Sequence, residues 1–303
     1  MIAVDLFAGL GGFTEGATRA GATVIWAANH WPVAVEYHRL NHPQTTHACQ
    51  DLRQFDFGQV PDHDLALMSP CCQGHSRAAR KRASHDASRA TAWAVVSLLE
   101  AKRPQLGLVE NVEEFRSWQL FPAWSMAVQA LGYSIAPHIC DAADSGVPQH
   151  RRRLFLVLTR SRVPLKLNLE RRPHRPVAEV IRWDAYPWSP IYRPDRSRKT
   201  LERVAAGRRE HGECFVMPYY GSGSGQRGRS AHRPLGTVTT RARWAVVRGD
   251  QMRMLQPDEL REAMSFPPTY QLPGNKALAT HLLGNAVCPL QAQTLVEALR
   301  RCA

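Results

Sequence analysis

At 303 residues, with 44% hydrophobic and 21% charged side chains, the chain has room for one large domain and a smaller companion, and wholesale disorder is excluded. Apolar runs such as Ala22 to Ala28 and Ala92 to Leu99 stop far short of a bilayer span. The start, Met1-Ile2-Ala3-Val4-Asp5, lacks the basic-then-apolar order of a secretory leader, so a cytoplasmic protein without a membrane partner is expected. The net charge of +13 takes its meaning from where it lies along the chain.

Met1 to Phe7 reads as a strand running into the glycine turn Gly9-Leu10-Gly11-Gly12, followed by a helix from Phe13 to Ala20. A second strand, Thr23 to Ala28, precedes a helix from Pro32 to Leu40. Asp64 to Met68, Gly107 to Val109 and Leu154 to Leu158 are further strands, with a helix from Thr91 to Ala101 between the first two of them. Strands alternating with helices predict an α/β fold with a parallel, doubly wound, Rossmann-like sheet, in which ligands bind at the carboxyl ends of strands. After Thr159 the alternation fades into a stretch rich in Pro, Arg and aromatic residues. Helix signals return at Pro257 to Met264 and Pro289 to Leu299. The expected organisation is a catalytic and cofactor-binding domain over 1–160, a smaller basic recognition domain over 161–243, and a segment over 244–303 packing back on the first.

From Arg151 to Arg248 there are 23 Lys or Arg against 7 Asp or Glu, while the rest of the chain is slightly acidic; 34 of the 39 basic residues are arginine. A solvated basic surface would explain a lone run. Confinement to one third of the chain turns the reading towards a polyanion such as nucleic acid, since the planar guanidinium suits phosphates and guanine edges. Seven cysteines without paired spacing argue against a disulfide framework. With neither CxxC nor HExxH present, no metal is expected.

Several short segments fall at the carboxyl ends of the predicted strands. The glycine turn is not the dinucleotide fingerprint, because GxGxxG would need glycine at Thr14; it is either a ligand loop or a tight turn between strand and helix. Ser69-Pro70-Cys71-Cys72-Gln73-Gly74-His75-Ser76 places cysteines in a polar, turn-rich context, where a thiolate nucleophile competes with an inert buried thiol. Glu110-Asn111-Val112 ends a buried strand, so Glu110 is either a desolvated acid able to donate a proton or a helix cap. Gln149-His150-Arg151-Arg152-Arg153 precedes a strand. By alternation Arg151 and Arg153 share a face, as an anion-holding pair or as part of a surface run.

In their order these segments resemble the cytosine-5 DNA methyltransferases almost end to end. Asp5-Leu6-Phe7-Ala8-Gly9-Leu10-Gly11-Gly12 is similar to the family's S-adenosylmethionine loop, and Pro70-Cys71-Cys72-Gln73-Gly74 to its PCQ loop. Glu110-Asn111-Val112 is similar to its ENV motif, Gln149 to Arg153 to QxRxR, Arg233-Pro234-Leu235-Gly236-Thr237 to RPxxT and Gly284-Asn285-Ala286-Val287 to GNAV. The resemblance implies a methyltransferase domain with a target-recognition domain, S-adenosyl-L-methionine as cofactor and double-stranded DNA as substrate. It makes Cys72 the nucleophile at carbon 6 of a flipped-out cytosine, Glu110 the proton donor at N3, and Arg151 and Arg153 supports for base and phosphate. Cofactor contacts carried over are Phe7, Gly9, Leu10, Gly11, Gly12, His30, Trp31, Asp51, Leu52, Asn285 and Val287. A monomer in a bacterial or phage-infected cell, associated with the nucleoid, with a cognate restriction endonuclease as candidate partner, goes with that reading.

Two positions depart from the family pattern: Cys71 stands where proline usually precedes the nucleophile, and His30 where an acid holds the ribose. They motivate two further readings, a redox-sensitive Cys71–Cys72 pair and transfer of a group other than methyl. The wider alternatives are a tRNA cytosine methyltransferase, for which Cys214-Phe215-Val216 has a superficial likeness to a CFT tripeptide, and a silent DNA-binding module of the same fold. Recognition sequence does not follow from residues 160–243, since base contacts depend on loop geometry.

Overall fold

The computed structural model describes residues 1–71, 91–219 and 228–302. They form two compact units. The first comprises residues 1–141, 152–170 and 286–303; the second comprises 142–151 and 171–285.

The first unit is built on a seven-stranded sheet: β1 (Ile2–Leu6), β2 (Thr23–Asn29), β3 (Thr46–Cys49), β4 (Leu65–Met68), β5 (Leu106–Asn111), β6 (Ser134–Asp141) and β7 (Arg152–Thr159), in the order β3-β2-β1-β4-β5-β7-β6. Five strands run parallel from β3 to β5, whereas β7 is antiparallel to both β5 and β6. The sheet is therefore not wholly parallel, as the alternation alone suggests. Only ten residues link β6 to β7, too few for the crossover that a parallel pair requires, so the strand must turn back. Two strands escape the periodicity reading altogether. β3 is four half-exposed residues, and β6 is broken in pattern by Pro137 and His138.

Alternate side chains feed two cores, as the pleat dictates. On one face Val4, Leu6, Met68 and Val109 pack with Leu98 and Leu99 of α3 (Thr91–Lys102) and Trp124 and Val128 of α4 (Phe121–Ala130). On the other, Ala3, Leu65, Leu67 and Leu108 pack with Phe13 and Ala17 of α1 (Gly12–Arg19) and Leu295, Val296 and Leu299 of α8 (Pro289–Cys302). Helices on both faces explain why β4 and the first four residues of β5 are uniformly apolar and buried rather than alternating. The remaining helix, α2 (Pro32–Asn41), links β2 to β3.

The second unit holds a five-stranded antiparallel sheet of β8 (Ser189–Pro190), β9 (Cys214–Pro218), β10 (Arg229–Ser230), β11 (Trp244–Arg248) and β12 (Gln251–Met254), ordered β10-β9-β11-β12-β8. Its core is Ile191, Val204, Phe215, Met217, Ala245, Val247 and Met252. Val204 comes from α5 (Arg198–His211), whose Gly207 lets Phe215 approach so closely that a Cβ there would lie 2.3 Å from the ring. Because β11 and β12 belong to this sheet, the chain after residue 243 stays with the second unit through α6 (Pro257–Ala263) and α7 (Lys276–Asn285). Only residues 286–303 belong to the first. Among the described residues no helix is long and apolar enough to cross a membrane, and no His, Cys, Asp and Glu group could hold a metal.

Candidate active site

The parallel strands β3, β2, β1, β4 and β5 present their carboxyl ends at one edge of the sheet, where the segments singled out above fall. At the end of β1 the backbone takes left-handed conformations at Phe7 (φ 61°), Gly9 (φ 55°) and Gly11 (φ 95°), and Gly11 caps α1. Phe7 pays the usual side-chain penalty for that conformation. Among the described residues a Cβ on Gly9 would meet only the Phe7 carbonyl, at 3.8 Å, so the turn there is open. Gly12 has a different role. A Cβ there would lie 2.0 Å from the Val287 carbonyl oxygen, so glycine lets α1 seat directly against the start of the C-terminal segment, and Val287 itself is buried. Leu10 is fully buried.

The neighbouring strand ends come together with this turn. The Ala8 N–H donates to the Ala28 carbonyl, and the Gln50 N–H donates to the Asn29 carbonyl. Trp31 follows through an Asn29 side-chain turn, and the Asn29 Oδ1 accepts the Trp31 N–H at 3.0 Å. His30 is exposed and lies close enough to Asp51 to act on its charge. Asp51 grips Arg53 through both carboxylate oxygens. Together with the His30 charge, that contact holds its carboxyl down at about 2. Leu52 is part of the core beneath. Asn285 ends α7 in the second unit, exposed.

Cys72 lies outside the described residues. The points where the chain enters and leaves that segment are tied: the Cys71 N–H donates to the Thr91 hydroxyl at 3.0 Å, at the first residue of α3. The Pro70 carbonyl accepts from the Asn111 side-chain amide at 3.2 Å, while Asn111 Oδ1 accepts from the Val112 N–H. Asn111 and Thr91 thus anchor the cysteine-bearing segment, a role the sequence pattern does not announce. Nothing in spacing marks either residue, although Asn111 sits inside the ENV triplet.

Glu110 is a member of β5, not of the loop after it, and is nearly buried. Its Oε1 lies 3.1 Å from Arg153 Nε on β7, so the acid faces a guanidinium instead of a purely apolar wall. The exposed Arg152 points away and pairs with the half-buried Glu113 at 2.9 Å. Arg151 is buried in the second unit, where its guanidinium donates to the carbonyls of Val238 and Gly284 at 3.1 and 3.0 Å. Arg151 therefore ties the RPxxT and GNAV segments together. Gln149 and His150 continue the same seam: His150 N–H donates to the Leu235 carbonyl, and the Thr237 hydroxyl donates to the His150 carbonyl.

One polar residue of the glycine-loop segment is given no role by the motif reading. Asp5, on β1 two residues before Phe7, is fully buried; its Oδ2 accepts from the Thr14 N–H and hydroxyl at 3.1 and 2.8 Å. Burial pushes its carboxyl up to about 7.

The model of the C-5 cytosine-specific DNA methylase family matches residues 1–301. The chain is 27% identical to the type II methyltransferase M.NlaX of Neisseria lactamica over 317 residues, spanning 98% of this chain and 95% of that one. It is also 27% identical to M.HhaI of Haemophilus parahaemolyticus, over 52% of this chain and 49% of that one. Among solved structures, a DNMT2 variant from Spodoptera frugiperda superposes with a TM-score of 0.73 over 99% of both chains at 17% identity, a likeness of fold.

Proposed function

The chain belongs to the C-5 cytosine-specific DNA methylase family and is a DNA cytosine-5 methyltransferase; from that premise we propose that it methylates carbon 5 of a cytosine flipped out of double-stranded DNA, with S-adenosyl-L-methionine as donor. The residues at the sheet edge fit such a donor. The open turn at Gly9 allows a ligand to approach the backbone, the N-terminus of α1 suits a carboxylate, and Asp51 with His30 offers hydrogen-bonding groups for an adenosyl moiety. Phe7, Gly9, Leu10, Gly11, His30, Trp31, Asp51, Leu52 and Val287, all of the first unit, would hold it; Gly12 acts through packing. When bound, the donor supplies an electrophilic methyl group.

The chain's own residues do the rest. Cys72, as thiolate, attacks carbon 6 of the cytosine ring, which moves electron density to carbon 5. Glu110 hydrogen-bonds the ring at N3 and offers it a proton, so that negative charge does not accumulate there. Arg153 orients the Glu110 carboxyl. After methyl transfer, loss of the carbon 5 proton lets the Cys72 bond to carbon 6 break. Arg151 is a positioning residue in this scheme, tying the segment that ends at residue 151 to the Val238 and Gly284 carbonyls within the second unit. Flipping is required because neither face of a stacked base admits both the thiolate and the donor.

The observation that carries this reading is the joint anchoring of Glu110 and the cysteine-bearing segment: Asn111, adjacent to Glu110 on β5, holds the Pro70 carbonyl two residues before Cys72. The basic second unit supports duplex DNA as the partner, and the type II methyltransferase relatives support a cognate endonuclease. Nucleoside mass spectrometry of DNA from a methylation-deficient bacterial host tests it. Expression of the protein should produce 5-methylcytosine and Cys72→Ala should produce none, while binding to duplex DNA persists. A different cytosine adduct, or methylation of RNA alone, would sink the reading.

A further inference from the structure

A buried hydrogen-bond chain in the first unit takes no part in the chemistry above. It starts at Asp5, whose Oδ2 accepts from Thr14. Thr14 Oγ1 lies 3.1 Å from His38 Nε2 on α2, and His38 Nδ1 lies 2.7 Å from His47 Nε2 on β3. The Thr45 backbone hydrogen-bonds the His47 ring in the sense that favours its charged form, so the Thr45 carbonyl accepts from the remaining nitrogen, Nδ1. Asp5 and His38 are sealed from solvent, whereas His47 is half-buried. The chain therefore runs from a carboxyl beneath the glycine turn to a ring that water can reach.

Counting hydrogens restricts it to few arrangements, because each of the four contacts needs one. With every member neutral, the Asp5 O–H donates to Thr14 and the Thr14 O–H to His38 Nε2. His38 Nδ1–H then donates to His47 Nε2, and His47 Nδ1–H to Thr45. If Asp5 is ionised and all contacts stay filled, the first three donors reverse and His47 becomes an imidazolium. The two states hold the same number of protons. One becomes the other as the Asp5 O–H breaks and a new Thr14 O–H forms, the old Thr14 O–H gives way to His38 Nε2–H, and His38 Nδ1–H gives way to His47 Nε2–H. Remove a proton, and three hydrogens remain for four contacts.

We propose that Asp5, Thr14, His38 and His47 form a one-proton relay by which His47 sets the charge of the carboxyl under the cofactor turn, and with it the preference of that site for the sulfonium donor over the thioether product. The ligand clause rests on S-adenosylmethionine being the donor. A carboxylate in a dry interior favours the extra positive charge of the sulfonium, which S-adenosylhomocysteine lacks. Among the described residues Asp5 Oδ1 has no hydrogen-bond partner. The groups facing the chain are Glu15 on α1, which also pairs with Arg19, and Arg39 and His42 at α2. The His42 ring lies 5.0 Å from His38, and its Nε2 3.9 Å from Glu15. Burial raises the Asp5 carboxyl to about 7 and depresses His38 and His47, all three in the direction that favours the all-neutral arrangement.

The test combines imidazole ¹⁵N NMR on the ligand-free protein with calorimetric binding of S-adenosylmethionine and S-adenosylhomocysteine from about pH 5.5 to 8.5. His47 and Asp5 should titrate as a coupled pair, so that Asp5→Asn moves the His47 titration. The donor-to-product affinity ratio should rise with pH, by at most about tenfold per pH unit for one linked proton. Thr14→Val, which keeps the side-chain volume and removes the hydroxyl, should uncouple the rings from Asp5 and flatten the ratio; Thr14→Ser should retain both behaviours. A His47 titration indifferent to Asp5→Asn, or a ratio flat with pH in the unmodified protein, would overturn the proposal. Coupling in the ligand-free protein with neither nucleoside bound would support the relay, and would overturn the donor reading together with the ligand clause.

Discussion

The two units handle buried charge in opposite ways. In the parallel-sheet unit the interior is apolar apart from a few titratable groups strung in line, such as Asp5 with Thr14 and His38, or Glu110 with Arg153. In the antiparallel unit arginine itself is building material. Arg253 is buried against Glu259 and stacks on Tyr186 and Trp188; Arg151 and Arg203 cap backbone carbonyls; Arg208 joins Glu213 and Asp250. A guanidinium's five donors suit short strands and long connections that leave carbonyls unsatisfied. The arginine excess from 151 to 248 therefore overstates the number of side chains available to phosphates, because part of it holds the unit together.

The sharpest break of this contrast is Arg253→Ala, which strands Glu259 with no exposure; a loss of about 3–5 kcal/mol is expected in urea unfolding. Gly12→Ala in the other unit should cost about 3 kcal/mol by the same measurement, since backbone at Val287 cannot yield as a side-chain tip does. Glu110→Gln should leave stability nearly unchanged and lower the methylation rate by about a hundredfold or more, read with tritiated donor and duplex DNA.

Smaller effects follow from pH. His38 and His42 are buried neutral, with His42 held down at about 4, so folding stability should fall as pH drops from 6.5 towards that value, by up to about 1.4 kcal/mol per unit for each. Asp5 has the opposite sign. Its raised value means the stability it contributes is full below 3.8 and lost as pH climbs to about 7. Asp5→Asn should therefore steepen the decline on the acid side, and an unchanged slope in denaturation at stepped pH would count against the assignment. The smallest change expected is Arg198→Ala: this side chain is 92% exposed, so stability should stay within about 0.5 kcal/mol, while the salt dependence of DNA binding falls by about one counterion if it meets a phosphate.

Much of the first unit was legible because its strands are short, apolar and bounded by turns, from Ile2–Leu6 to Leu106–Asn111. β3 and β6 were not, since neither presents a clean period, and the direction of β7 depends on linker length rather than on its own residues. At the site, the glycine turn, Glu110 and the arginines could be located from context. What each does locally could not. Arg151 and Arg153 share a face in strand alternation, yet one binds carbonyls and the other a carboxylate, because the chain passes from one unit to the other between them. Asp5, Thr14, His38 and His47 are scattered over four elements, and only the fold brings them into line.

The seating of α8 on α1 has a consequence for how the protein is made. Gly12 and Gly16 receive the backbone at Val287 and Pro289, so the partner of the first helix is encoded some 275 residues later. At a ribosomal rate of about 5–20 residues per second, that face waits on the order of 15–55 s for its cover. Phe13 and Ala17 lack their α8 contacts throughout that interval. A nascent chain stalled before Pro289 should therefore remain protease-sensitive in α1 even with the second unit fully translated, making this helix a natural client for chaperones during synthesis.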